Sequence, residues 1–271
     1  MQILYAKSKW ERPDASLPDF LAACRADGYD ATELYLPAVT EAPSLIAELH
    51  RAAGLRLVAQ IVTAGATPDE HIASLDQQVP MAAACAPLFI NCHTGRDWFG
   101  FDANLRILRH AADLARHHGV ALHHELHRGR ALFNAPDTVR YLDAFPDMTI
   151  TADFSHWFCV HESDLSDQEA ALARTVTAAR HIHARIGFNE GPQVADPASP
   201  GAAPWLERHL GLWQRIVAAR SATGASYLTI TPEFGPAPYM PVTGADDTPA
   251  ADAWLVNRWM RDTLRARLLA G

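Results

Sequence analysis

A closed parallel sheet of eight strands wrapped by helices, a (β/α)8 barrel spanning residues 1–271 as one domain, is the fold class predicted by three features of the sequence. Eight short apolar runs recur along the chain, helical patterns separate them, and several of those patterns end in glycine just before the next run. In order, the runs are QILYA, ATELYL, LRLVAQIV, PLFINCH, VALHHEL, MTITADF, HIHARIG and YLTITPEF. Helical segments between them include SLPDFLAACRADG, SLIAELHRAAG, ANLRILRHAADLARHHG, TVRYLDAF and PWLERHLGLWQRIVAARSATG. Gly28, Gly54, Gly119 and Gly224 stand where a helix is expected to stop, because glycine takes the left-handed conformation of that position without steric cost.

An open doubly wound sheet is the runner-up, and no GxGxxG or GxxxxGK follows the first run to support it. No domain boundary is visible. The longest irregular stretch runs from Gly187 to Pro204, after the seventh strand. Loops this long inside a compact domain are usually functional or disordered, so it is expected to be a lid or substrate loop, with a tolerated insertion as the alternative.

Composition narrows the class of function. With 271 residues, 49% hydrophobic and 20% charged, the chain can bury a core without staples. Cys24, Cys85, Cys92 and Cys159 form no CxxC pair, which points to a reducing compartment. The N-terminal stretch has no signal-peptide core and no segment has the length of a membrane span, so a cytoplasmic protein without membrane contact is expected. The net charge of −8 and the scattered arginines argue against nucleic acid as a partner.

In a barrel the C-terminal strand ends project side chains into one mouth. The polar residues at those ends are Glu33 on strand two, Gln60 on strand three and His93 on strand four. Strand five gives Glu125 and His127, strand six Asp153 with His156 just beyond, strand seven His181, His183 and Arg185, and strand eight Glu233. An ionised carboxylate in an apolar strand is costly unless paired or bound to a metal. Glu125, Asp153, His183 and Glu233 come from four consecutive strands and can converge on one point. Three carboxylates and one imidazole suit a hard divalent ion, Mn²⁺, Mg²⁺ or Co²⁺, better than a structural Zn²⁺ site, which more often uses cysteine.

Four ordered motifs make the pattern specific: E-x-H-R-G at Glu125–Gly129, D-x-x-H at Asp153–His156, H-x-H-x-R at His181–Arg185 and P-E-F-G at Pro232–Gly235. Together they resemble the xylose-isomerase-like TIM barrels, the sugar phosphate isomerase/epimerase superfamily, over nearly the whole chain. The resemblance implies one divalent metal, Mn²⁺ ahead of Mg²⁺, Co²⁺ or Zn²⁺, held by Glu125, Asp153, His183 and Glu233. It implies that His156 and Arg185 touch substrate and that Glu125 and Glu233 flank the reacting carbon. His127, His93, Glu33 and Trp98 join them as candidate substrate contacts. The superfamily also holds the endonuclease IV enzymes with their three-zinc cluster. This chain departs from them: Gln60 stands where they use histidine, and no D-x-H precedes the last strand.

The expected activity is therefore metal-dependent isomerisation or epimerisation of a sugar or keto-sugar, by proton transfer beside a carbonyl through an enediolate. A lyase or hydratase acting on a 3-keto-glycoside would use the same intermediate. A metal-free glycosidase working with two carboxylates would leave Asp153 and His183 without a purpose, and a non-catalytic sugar-binding module would need no flanking bases. Glu190 and Asp196 in the loop after strand seven, with no lysine, lean against a phosphorylated substrate, although Arg128 and Arg185 are each able to meet a phosphate. Of the adjacent His123 and His124, one is expected to pack behind the barrel. Trp98 and Trp157 would wall a sugar pocket or simply pack. The helix bearing Trp254, Trp259 and Leu264 is expected on the outside of the barrel or at a subunit contact, which leaves room for a homo-oligomer.

Overall fold

The eight apolar runs become eight strands: β1 (Gln2–Ser8), β2 (Ala31–Tyr35), β3 (Arg56–Val62), β4 (Phe89–His93), β5 (Leu122–Glu125), β6 (Ile150–Ala152), β7 (Ala179–Ala184) and β8 (Tyr227–Pro232). They pair in parallel in chain order, and β1 pairs with β8 from Gln2↔Tyr227 to Tyr5↔Ile230 to close the barrel. These features come from a computed structural model that describes residues 1–268.

The outer helices are α1 (Leu17–Ala26), α2 (Pro43–Ala53), α3 (Pro68–Ala84), α4 (Phe101–His117), α5 (Ala135–Ala144), α6 (Phe154–Val160), α7 (Glu169–Ala178), α8 (Ala203–Ala222) and α9 (Ala253–Leu268). The Ser16 side chain caps α1 by accepting from Asp19 N, and Thr67 with Glu70 forms a reciprocal capping box on α3, which runs on through Pro80. The four glycines expected to stop helices have φ between +63° and +76°. No helix among the described residues is long and apolar enough to cross a membrane.

Side chains alternate across a strand, and that alternation separates the barrel lumen from the helix-facing core. Leu57, Ile90, Ile150, Ile182 and Ile230 face outward and pack with the helices. The residues between them face inward and are polar: Glu33, Gln60, Asn91, Glu125, Thr151, His181, His183, Thr229 and Thr231 are all buried. The question left open by His123 and His124 is settled the same way. The His123 ring lies 4.6 Å from Phe89 and packs in the lumen, while His124 bonds Thr94 Oγ1 at 2.7 Å behind the sheet.

Helix α9 covers the seam between β8 and β1. Trp254 and Leu264 are buried there, whereas Leu255 and Trp259 are exposed. Trp254 roofs the buried Lys7 ammonium, which lies 4.1 Å from its ring and 2.6 Å from Glu11 Oε2. All four cysteines are free thiols.

Buried neutral histidines make stability depend on pH. Burial pushes His123 and His124 down to about 3 and His209 down to about 4. In the unfolded chain the same groups take up protons near pH 6.5. Their contribution is complete above about pH 6.5, and it is lost as pH falls, because unfolding then takes up protons that the native state excludes. Each adds a slope of up to about 1.4 kcal/mol per pH unit. Glu11, raised to about 7 by burial, opposes this, because its neutral form is favoured in the native state as pH falls below 7. His209→Gln is expected to make the decline of the urea midpoint between pH 6.5 and 4.5 visibly shallower than in the unaltered chain; parallel curves would refute the assignment.

Candidate metal centre

Glu125 ends β5, His183 lies on β7, and Asp153 and Glu233 follow β6 and β8 by one residue, so all four reach the C-terminal mouth. One ligand atom from each lies within 4.8 Å of the others, and all four residues are buried. His183 Nδ1 and Glu233 Oε2 are 2.9 Å apart without the alignment of a hydrogen bond, and each is left without a partner. Buried polar atoms are rarely orphaned. Two of them facing each other inside a carboxylate-rich cluster fit a divalent cation held by this quartet. Two other groups, Glu33–His181–His183 and His93–Glu125–His127, are equally close, but neither has such a pair of unpartnered ligand atoms.

Three of the four, His183, Glu125 and Asp153, are held from behind. His183 Nε2 is 3.0 Å from Glu33 Oε1, and Glu33 also accepts from Thr231 Oγ1 at 2.6 Å and from Asn91 Nδ2 at 3.0 Å. A carboxylate bonded to the far nitrogen fixes the ring and leaves Nδ1 for the cation. Burial alone would strip the proton from His183; Glu233, Glu33 and Glu125 reverse this and raise its pKa well above the usual range. Glu125 accepts from Asn91 Nδ2 at 2.7 Å and lies 2.7 Å from His93 Nε2. Burial raises its pKa, but His93 and His183 overcome that and hold it well below the ordinary carboxylate range. Asp153 caps α6, accepts from the Ser155 hydroxyl and pairs with the buried Arg185. Burial nonetheless pushes it up to about 6, with Arg185 opposing and Glu233 adding to the rise.

Two members of the quartet, Glu125 and Glu233, reach the wall of a cavity of about 220 Å³. Gln60, His93, Glu125, His127, Arg185 and Glu233 line it, as the strand-end reading expects. Above Glu125 the rings of His93, His127 and His156 stack in succession, with centroids 4.5 and 3.9 Å apart. His156 Nε2 accepts from Arg185 at 2.8 Å. Other residues singled out from the sequence lie off the cavity: Asp153, His156 and His183 are fully buried and do not line it. Glu33 and His181 lie deeper in the lumen, since on one strand face His181 sits a full pleat below His183, and neither lines the cavity. Trp98 is 66% exposed, beneath the Arg96 guanidinium, and is not in the wall. The Gly187–Pro204 loop does not line the cavity either; Gln193 ties it sideways to Gly235 through both main-chain polar groups.

Residues not singled out from the sequence complete the mouth: Trp10, Tyr35, Arg130 and Tyr239. Tyr239, between β8 and α9, takes the wall position expected of the longer loop, packing edge-on against Trp10 with Arg185 4.7 Å from its ring. No periodic pattern marks it. Asn91, by contrast, shares a strand face with His93, and alternation within PLFINCH was signal enough to place it inward.

A family model described as the xylose isomerase-like TIM barrel matches residues 21–210. No curated protein sequence matches the chain significantly. Among solved structures, a xylose isomerase domain-containing protein from Salmonella typhimurium has a TM-score of 0.68 at 14% identity, over 96% of this chain and 97% of that one. A D-tagatose 3-epimerase-like protein gives 0.65 at 11% identity over 97% of each chain. A probable 3-DHS dehydratase from Bacillus anthracis gives 0.62 at 15% identity, over 94% of this chain and 98% of that one. At such identities the likeness speaks for the fold, and the superfamily spans more than one reaction. With its closed eight-stranded barrel and a family match over most of its length, this chain belongs to the xylose isomerase-like TIM barrel family.

Proposed function

We propose that the chain is a divalent-metal-dependent enzyme that moves a proton at a carbon beside the carbonyl of a sugar or keto-sugar, as an isomerase or epimerase. The observation that carries this reading is the orphaned pair His183 Nδ1 and Glu233 Oε2 within the quartet, with Glu233 at the wall of a small cavity. When bound, the cation, Mn²⁺ by preference for this oxygen-rich set, supplies Lewis-acid polarisation of the carbonyl. The protein's own groups do the rest. Glu233, at the cavity wall, would accept the proton through the carboxylate oxygen that the cation leaves free. Glu125, kept ionised by Asn91 and His93, faces the reacting carbon from another strand. Arg185 holds Asp153 in place, and His156 and His127 orient substrate hydroxyls. A cavity of about 220 Å³, below the roughly 300–1,000 Å³ of drug-sized sites, is of a size to take one small molecule.

The test is an NMR screen in D₂O of free and oxidised sugars with the Mn²⁺-loaded protein. Deuterium is expected at one carbon of one substrate, with exchange lost on chelation and restored by Mn²⁺. Elimination of water instead of return of the proton would make the protein a lyase of the same chemistry. Undiminished exchange in protein shown metal-free by elemental analysis would refute the proposal.

A further inference from the structure

Glu233 stands one residue beyond β8, where the barrel ladder ends. The last pair with β7 is Ala184↔Pro232, and the last with β1 is Tyr5↔Ile230. The Glu233 N–H still reaches the Ala184 carbonyl, at a long 3.4 Å. Past that point no strand serves the main chain, yet Phe234 and Gly235 are buried. Buried N–H and C=O groups are costly to leave unpaired. Two side-chain amides from distant parts of the chain take the place of a strand. Asn257 on α9 accepts from the Phe234 N–H at 2.7 Å and donates to the Phe234 carbonyl at 2.8 Å. Gln193, in the loop after β7, accepts from the Gly235 N–H at 2.8 Å and donates to the Gly235 carbonyl at 3.2 Å. Both amides are buried. The loop carrying Gln193 is itself fixed beside it, where the Val194 N–H donates to the Ile186 carbonyl at 2.9 Å.

Elsewhere the same device occurs singly: Gln78 holds both main-chain groups of Val62 at the end of β3, and Asn104 holds those of Arg96 after β4. Behind Glu233 it is doubled on successive residues. Trp10, in the cavity wall, adds a third support, since a Cβ at residue 235 would stand 2.3 Å from its ring and only glycine lets the indole close on this segment. The Glu233 carboxylate receives no hydrogen bond among the described residues, so its place is set from the main chain. Glu125 differs, because Asn91 and His93 hold its carboxylate directly. We infer that Asn257 and Gln193 are positioning residues, which clamp the Phe234–Gly235 main chain and so hold the Glu233 carboxylate against His183 at the cavity wall. The inference rests on the reading of Glu233 as metal ligand and base. It also gives the long loop after β7 a part in the site, acting through Gly235 without lining the cavity. Catalytic groups work within about 0.5 Å of their productive place, and a misplacement of about 1 Å costs about 10²-fold in rate.

Two measurements test this. At saturating Mn²⁺, Gln193→Leu is expected to slow hydrogen–deuterium exchange at the substrate carbon about 10- to 100-fold in kcat, with KM changed by less than about twofold. Asn257→Asp, which keeps the acceptor for Phe234 and loses the donor, repeats the test from α9. Placed on Glu233→Gln, Gln193→Leu is expected to add no further loss, because the carboxylate it positions is already gone. An equal loss on both backgrounds would mean general damage and overturn the inference, as would unaltered kcat in both single variants. The second measurement needs neither metal nor substrate. In metal-free protein, Gln193→Leu is expected to speed amide exchange of the Gly235 N–H at least about tenfold, while Ile182 and Ile230, paired between β7 and β8, keep their protection. Lost protection at Gly235, with no sugar exchanged by the unaltered protein, supports the clamp and counts against the proposed reaction alone. Undiminished protection at Gly235 would overturn the clamp even in an active enzyme.

Discussion

Glu233→Gln is expected to lower hydrogen–deuterium exchange at the substrate carbon by about 10²–10⁴ while substrate still binds. Glutamine keeps an oxygen for the cation but takes no proton at the pH of the reaction. Glu233 is the better base of the two flanking glutamates for a structural reason. Its carboxylate receives no hydrogen bond among the described residues, whereas Glu125 Oε2 is held by Asn91 and His93, both at 2.7 Å. Hydrogen bonds to an ionised carboxylate make it a weaker base. Glu125→Gln is accordingly expected to act more through lost metal, read by elemental analysis, and Glu233→Gln more through lost exchange at retained metal. Wild-type exchange in Glu233→Gln would move the role of base to His127 or His156.

Glu33→Gln is expected to cost stability and metal at once, although Glu33 is outside the cavity wall. Glu33 accepts from His183, Asn91 and Thr231 in the lumen, where it is 1% exposed. Removing one partner of a buried, hydrogen-bonded charge pair typically costs about 3–5 kcal/mol. The same change frees the His183 ring to turn, and loss of such a supporting carboxylate typically lowers metal affinity about 10- to 100-fold. Urea unfolding of metal-free protein measures the first effect, and Mn²⁺ titration of the folded variant the second. A variant with unaltered midpoint and unaltered Mn²⁺ affinity would show that Glu33 merely fills space. A rise in KM at full metal occupancy would return it to the substrate contacts.

Periodicity was enough to read the barrel. Short apolar runs, helical patterns between them and glycine stops ahead of the next strand are local properties of the chain, and they placed all eight strands. Alternation along the strands brought Glu125, Asp153, His183 and Glu233 to one end, because strands in a closed parallel barrel share a direction. It did not give depth. Glu33 and His183 both face the lumen, but strand stagger sets which of them meets the cavity and which supports the other from beneath, and stagger depends on pairing between strands. Loops were the least legible part. The long segment after β7 was the natural candidate for a wall, yet Gln193 fastens it to Gly235 and leaves the position to Tyr239. Such a choice is made by contacts between residues far apart in sequence, where no period exists to read.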